Sequence, residues 1–396
     1  MAERKVKRII LFQSGIETLE YFTIQLQKAF LEMGYQILLF DLNKKEAEVR
    51  RIRKFFRTNE TVMLTFNFQG IASEEFIYHK QYGYIWQQLK IPCFNIVVDH
   101  PMYYHDYSLF LPPDYYQISI DRYHEAYVKK YYPYIKTAGF LAHAGTKVQI
   151  EVPKDFSQRS MDVAFTGNYT SLEKCEPYFH LINEEYAAFY HKIADELIEQ
   201  SKKPLEEIMW EAVRKEIGEV TNTQFAEIMN KARFIDLFLR CFVRGKTVAM
   251  LVDNGIKVHV FGDGWEDLEC VHKENLIIQT EISSQECLQV LADTKIALNI
   301  MPWFRDGAHD RIFNSILNGA YCLTDHSKYL DEIFTEEEIG FFDIQHIEEI
   351  PEQIKQLLSN DASLKKKARA AYAKVEQLHT WTARAASLSK LFELYI

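Results

Sequence analysis

Residues 296–325, IALNIMPWFRDGAHDRIFNSILNGAYCLTD, decide the fold. An apolar run from Ile296 to Met301 gives way to a loop with Pro302, Asp306 and Gly307. A short amphipathic segment closed by Gly319 follows, then a second apolar run from Tyr321 to Leu323. Short apolar runs bounded by turn residues read as buried strands and the periodic segment between them as a helix, so the order is strand, loop, helix, strand. In an open α/β sheet that order puts the loop and the helix N-terminus at the carboxyl edge of the strands, where unpaired backbone N–H groups and the helix dipole attract anions. Arg305, His309 and Arg311 stand in the same loop and helix start. A phosphate-bearing small molecule is the expected ligand, against the plainer reading of an ordinary buried βαβ unit.

The rest of the composition bounds this reading. A chain of 396 residues suits two domains. Hydrophobic residues at 47% and charged residues at 26% mark it as globular and exclude a disordered chain. The formal net charge of -10 argues against a general nucleic-acid binder, which needs a basic footprint, and leaves room for a local anion site. Cys93, Cys175, Cys241, Cys270, Cys287 and Cys322 form no CxxC pair and match no histidine spacing for zinc. They read as buried apolar residues of a reducing cytoplasm, with no metal expected. The start, MAERKVKRIILFQSG, is basic, but its apolar run ends at Phe12. No signal peptide and no membrane span are expected, and the location is read as cytoplasmic.

Outward from the opening stretch the same alternation recurs. Strands are expected at 7–13, 36–42, 61–68, 92–99, 115–120 and 137–141, with helices at 18–33, 44–57, 74–89 and 122–132 between them. The basic helix from Lys44 to Arg57 reads as a solvated face before it reads as an anion site. A first Rossmann-like domain then closes at 150. The pattern restarts in a second domain, 151–375, with the strand Met161 to Asn168, and resumes at 257–262, 275–279, 284–292, 296–301 and 339–342. Between them, 173–252 is a helical block broken at Pro204 and Gly218, too long for a single crossover helix and so read as an inserted bundle. It is open to two uses, acceptor access or the contacts of a homo-oligomer. Two helices end the chain, and residues 376–396 are expected to pack back on the first domain. The fold class is therefore α/β, with two doubly wound domains in tandem and a helical insertion in the second.

Two such domains, with glycine turns and an anion-prone loop in the second, resemble the GT-B class of glycosyltransferases, and within it the group 1 C-terminal module of the CgeB-type, spore-maturation-like proteins. The likeness rests on Asp162 to Asn168 (DVAFTGN), on Val258 to Trp265 (VHVFGDGW) and on Ala297 to Asp325, with its Arg-x-Phe before Gly319-Ala320. The resemblance implies Rossmann-like domains facing across a cleft. It also implies a nucleotide-sugar donor, UDP- or GDP-linked, in the second domain, a saccharide or protein acceptor on the first, no further cofactor and no metal.

On this reading Gly167, Asn168, Gly262 and Gly264 bring backbone close to the donor. Arg311 holds the diphosphate; the alternative, a salt bridge at the helix start, is disfavoured because a cation there opposes the dipole. His309 faces the diphosphate or donor sugar, or is a plain loop histidine. Trp265 borders the base or packs. Ile282 and Ser283 stand where the family offers backbone hydrogen bonds to the base. The family commonly has a Glu five residues before the helix-ending Gly, on the ribose hydroxyls; here that residue is Asn314, which can still hydrogen-bond but carries no charge.

In the first domain Gln13-Ser14-Gly15 ends a strand and reads as an acceptor-side loop. Asp99 and His100, at another strand end, read as the general base or as a structural cap. Tyr103 and Tyr104, in a tyrosine-rich run, read as an acceptor platform or as packing. The leading expectation is a metal-independent glycosyltransferase. The alternatives are a GT-B-shaped binding or assembly subunit, which Asn314 favours, and a nucleotide-sugar epimerase or hydrolase, which would need a denser set of carboxylates and histidines.

Overall fold

The computed structural model describes residues 5–149 and 154–396, and two compact units divide the chain: one runs up to His143 and takes in 379–396, the other is 144–378. The expected domain boundary at 150 and the first four residues of the chain lie outside the described residues. Among the described residues no helix is long and apolar enough to cross a membrane.

The first unit is built on six parallel strands, β1 (Arg8–Gln13), β2 (Gln36–Asp41), β3 (Thr61–Phe66), β4 (Cys93–Val97), β5 (Tyr115–Ser119) and β6 (Lys136–Phe140). Their order across the sheet is β2-β1-β3-β4-β5-β6. Every residue of β3, TVMLTF, is buried, as a parallel strand covered on both faces requires. Helix α1 (Glu17–Glu32) turns Leu19, Phe22, Leu26 and Phe30 inward at helical spacing. The C-terminal helix Trp381–Tyr395 completes this core: Trp381 meets Phe22 at 5.2 Å and Phe392 meets Phe94 at 4.9 Å, centroid to centroid.

The helix expected over 74–89 is the largest local departure. Residues 78–79 pair antiparallel with 83–84, and only Ile85–Leu89 is helical. The Glu74 carboxylate accepts the backbone N–H groups of Gly70 (2.7 Å) and Ala72 (3.0 Å), so it closes a turn where a helix would otherwise begin. Gly83 then reverses the chain at φ +68°.

The second unit repeats the plan with β7 (Met161–Thr166), β8 (Val258–Phe261), β9 (Leu276–Gln279), β10 (Thr294–Asn299), β11 (Tyr321–Asp325) and β12 (Gly340–Phe342), all parallel, in the order β9-β8-β7-β10-β11-β12. Strand β10 starts earlier than its apolar run because Lys295 is neutralised by Asp162 (3.1 Å) and Asp361 (3.2 Å). Between β7 and β8 lies the helical insertion, with α2 (Glu184–Glu199), α3 (Leu205–Ile217), α4 (Asn222–Lys231) and α5 (Arg233–Asp253). Pro204 and Gly218 bound α3 as the sequence suggests. The two terminal helices are instead four, because Asn360 and Thr380 cap new starts by accepting the amides of Ser363 and Ala383.

Each sheet has one place where neighbouring strands run off in opposite directions through the chain order. It lies between β1 and β3 in the first unit and between β7 and β10 in the second. Ligands of open α/β sheets bind outside the carboxyl ends of the strands at such switch points.

Candidate functional site

Helix α7 (Asp310–Leu317) begins beside the switch point of the second unit. Arg311, in its first turn, folds back under the loop. It donates through Nε to Thr166 Oγ1 at 3.0 Å and through Nη1 to Asn299 Oδ1 at 2.9 Å. Thr166 and Asn299 are the last residues of β7 and β10, so one guanidinium spans the two strand ends that flank the crevice. The Asn299 amide is oriented by its own donation to Thr324 Oγ1 at 2.8 Å. Phe165 lies beneath the guanidinium, 4.9 Å from Cζ to the ring centre.

Helix α5 brings two further cations to this place. Arg240 and Arg244, one turn apart, both lie over the Trp303 ring, at 4.1 Å and 5.2 Å, and Arg244 also lies over Phe165 at 5.6 Å. Arg244 Nη1 donates to the Asn168 carbonyl at 2.8 Å, and Asp236 holds Arg240 at 2.7 Å. Gly245 makes the approach possible, because a Cβ there would sit 2.8 Å from the Tyr169 ring. Burial, then repulsion from Arg311 and Arg240, pushes Arg244 down to about 9. Burial likewise lowers Arg311. The hydrogen-bond acceptors of Arg244 and Arg311 are neutral oxygens, so their charge is not cancelled where they bond; burying such a charge costs several kcal/mol, which an anion seated among the three would offset.

His309 is the N-cap of α7. Its Nδ1 lies 3.2 Å from the Arg311 amide and 2.8 Å from Asp310 Oδ1, and one nitrogen serves only one of them at a time. Burial first, and the neighbouring Arg311 and Arg244, lower its pKa, so the neutral ring is favoured. With Nδ1 accepting the Arg311 amide the neutral ring carries its proton on Nε2 as a donor, and with Nδ1–H donated to Asp310 it presents Nε2 as an acceptor.

The glycine turns lock one another below the arginines. Gly167 donates its amide to the Phe261 carbonyl at 2.7 Å, Tyr169 donates to the Asp263 carbonyl at 2.9 Å, and Asn168 Oδ1 accepts from the Asp263 amide at 3.1 Å. A Cβ on Gly264, at φ +83°, would lie 2.2 Å from the Tyr169 carbonyl, and one on Gly262 would lie 2.7 Å from Gly167. Trp265 is the floor of this lock: it is fully buried, stacks on Tyr169 at 5.1 Å and donates Nε1–H to the Gly167 carbonyl at 2.8 Å. Its ring supports the loop and is not offered to a base.

Other expected contacts have different tasks. Ser283 caps α6 (Ser284–Ala292): its Oγ accepts from the Glu286 amide, and its own amide donates to the Glu286 carboxylate at 2.8 Å. Ile282, just before that cap, is half-buried. Asn314 is committed within the unit, since its Oδ1 accepts from the Thr146 amide at 2.8 Å and its Nδ2 donates to Asp310 at 3.0 Å. With Asn318, which accepts from Val148 and donates to the Thr146 carbonyl, it zips the segment 146–148 onto α7. Arg305 turns to a separate cavity of about 320 Å³ that it shares with Asp325, His326 and Ser327. Asp325 holds the loop by accepting from the Met301 amide at 2.8 Å, and burial pushes its carboxyl up to about 6.

In the first unit Ser14 sits at φ +66° and donates its amide to Glu20 at 2.9 Å. Gly15 is pressed against Gln69, whose Nε2 would lie 1.9 Å from an added Cβ. Asp99 Oδ2 accepts from Asn67 (3.0 Å) and the Tyr104 hydroxyl (2.8 Å), an oriented carboxylate at the end of β4. Tyr104 spends its ring face on Phe68 at 5.1 Å, and Tyr103 beside it is half-buried. His100 is buried, caps the following turn by accepting from the Met102 amide at 3.1 Å, and packs on His124 and Tyr127. Of its two expected roles this is the structural cap.

Sequence reasoning missed Arg240, Arg244 and Trp303. The signal available was a pair of arginines one turn apart on the apolar helix FLRCFVRGKTV, residues 238–248, a pattern that reads as a solvated edge until the fold closes over it.

A glycosyl transferase-like family model matches residues 244–390, beginning at Arg244 and ending in the C-terminal helix. The sucrose-phosphate synthase of Thermosynechococcus elongatus superposes with a TM-score of 0.53 at 10% identity, covering 98% of each chain. A DNA modifying β-glucosyltransferase does so with a TM-score of 0.54 at 11% identity, covering 98% of this chain and 99% of that one. The fold is GT-B. TarM aligns with 87% of this GT-B chain at 13% identity and a TM-score of 0.47, and the alignment spans 57% of TarM's own length. No curated protein sequence matches significantly.

Proposed function

We propose that this GT-B protein is a glycosyltransferase that takes a sugar from a nucleoside diphosphate donor, with the diphosphate held by Arg240, Arg244 and Arg311. The observation that carries the reading is the convergence of these cations on the switch point of the second unit, over strand ends that supply only neutral partners. In the transfer an acceptor oxygen bonds to the anomeric carbon. The bond from that carbon to the diphosphate breaks, and its electron pair leaves with the nucleotide. Fixed guanidinium groups stabilise the departing charge without reorganising. Neutral His309 donates Nε2–H to a phosphate or sugar oxygen, Gly167 gives backbone access, and Asp99 takes the acceptor's proton. The groups at this crevice are cationic or neutral apart from Asp310 and Asp236, the latter paired with Arg240, a set suited to phosphate oxygens more than to a divalent cation, which supports a metal-independent reaction. Uridine or guanosine diphosphate sugars are the proposed donors and a saccharide or protein the proposed acceptor. The Arg-x-Phe before Gly319-Ala320 supports a CgeB-type affiliation.

A thermal-shift panel of UDP, GDP, ADP and CMP followed by donor hydrolysis tests this. Stabilisation by one diphosphate, lost in Arg311→Ala, is the expected result; stabilisation by none of them removes the reading. A second reading, a nucleotide-sugar binding subunit without transfer, is favoured by Asn314, whose polar atoms are taken by Thr146 and Asp310. Saturable nucleotide binding with no donor turnover would select it.

A further inference from the structure

The start of the helical insertion carries a cluster that the donor site does not use. After the short helix Leu172–Cys175 the chain makes a 3-10 turn, Glu176–Tyr178, passes Phe179 and His180, and enters α2 under the Asn183 cap. His191, two turns into α2, lies flat against the buried Phe179 ring, with centroids 4.2 Å apart and planes 6° apart. The stacking fixes the imidazole so that Nε2 lies 2.8 Å from Glu176 Oε1. His180 Nε2 lies 3.0 Å from the same oxygen. The ligand atoms of Glu176, His180 and His191 are all within 4.8 Å of one another.

We propose that Glu176, His180 and His191 bind a divalent transition-metal ion of the zinc class, which staples the entry of the insertion to its first long helix. Two imidazole nitrogens and one carboxylate oxygen are the donors that zinc, cobalt and nickel prefer, whereas magnesium and calcium take oxygen. Ligands about 2.0–2.1 Å from a tetrahedral zinc stand about 3.3 Å from each other. The two carboxylate–imidazole spacings, 2.8 Å and 3.0 Å, reach that with side-chain shifts of about half an ångström, and the two imidazole nitrogens, within 4.8 Å of each other, close on it by side-chain rotation. Glu184 Oε1, 3.4 Å from His180 Nδ1, is placed to accept the proton on the ring's other nitrogen, the arrangement that orients a metal-bound histidine. The side chains remain 37% to 43% exposed, so an ion can enter and a water can take the fourth position.

The test titrates Co²⁺ into the chelator-stripped full chain, followed by visible absorption, with Zn²⁺ as competitor. One equivalent with tetrahedral ligand-field bands and a zinc-induced rise in melting temperature are expected. Affinity should fall about tenfold or more in His180→Ala, in His191→Ala and in Glu176→Gln, each checked for fold by circular dichroism. His272→Ala, which removes a comparable exposed histidine–glutamate pair at 3.0 Å, should leave binding unchanged. No saturation in the micromolar range, or equal affinity in the three variants and the parent chain, would overturn the proposal.

Discussion

The two sheets share one architecture and end in edges of opposite character. At the switch point of the first unit the chain offers Ser14, Gly15 and Gln69, with the carboxylates of Asp41 and Asp99 on the adjoining strand ends. At the switch point of the second it offers Arg311, with Arg240 and Arg244 brought in by α5. Lys44, then Ser14, hold the Asp41 carboxyl down at about 2, which keeps a negative charge in place, while burial, and after it the neighbouring Arg311 and Arg240, push Arg244 down to about 9. The lesson is that the doubly wound layout selects where a ligand sits, and the residues at the strand ends select its charge.

The comparison breaks most directly at Arg311. Replacing it by Ala should weaken nucleoside diphosphate binding by about 100-fold, since losing a buried charge-assisted contact costs about 2–5 kcal/mol. Asp99→Asn should leave that affinity unchanged. Calorimetric titration of both variants decides it, and equal losses would mean that the charge difference between the edges does not select the ligand.

The next effect tests an acid buried in the second unit. The Asp325 carboxyl is raised from 3.8 to about 6 in the folded chain, so its contribution to stability is full below 3.8 and is lost as pH rises through 6. The loss is about 3 kcal/mol in order of magnitude. Asp325→Asn should flatten that slope, measured by urea unfolding from about pH 4 to about pH 7; an unchanged slope would show that the charge is relieved by Arg305.

Gly264→Ala should destabilise the second unit by about 2 kcal/mol, through the positive φ and the close approach to Tyr169, with denaturant midpoints as the readout. Ser283→Ala should cost about 1 kcal/mol by breaking the cap of α6, with nucleotide affinity unchanged. A drop in affinity there would restore Ser283 as a base contact. The smallest effect is in the first unit: Ser14→Ala should let the Asp41 titration midpoint, followed by NMR, move up from about 2, with Lys44 retaining the larger share.

Much of this was legible in the chain. The strands at 36–41, 115–119 and 340–342 and the helix at 284–292 follow from apolar period and punctuation, which act between near neighbours. The helix expected over 74–89 failed because one carboxylate, Glu74, found backbone N–H groups at Gly70 and Ala72. Asn314 was read by its position in a pattern. What it bonds is Thr146, far away in the chain, and no local rule reveals that partner. Arg240 and Arg244 were hidden for the same reason, since their helix carries no sign of Trp303 or Asn168.

By itself the sequence determined two doubly wound units with a helical insertion, and it marked residues 296–325 as the strand, loop and helix around which an anion would bind. Only the tertiary structure decided which cations meet there. Hydrophobic period is a property of a few consecutive residues, whereas the desolvation and mutual repulsion of Arg244 and its arginine neighbours, on which the proposed anion site rests, exist only once β7, β10 and α5 have closed around one crevice.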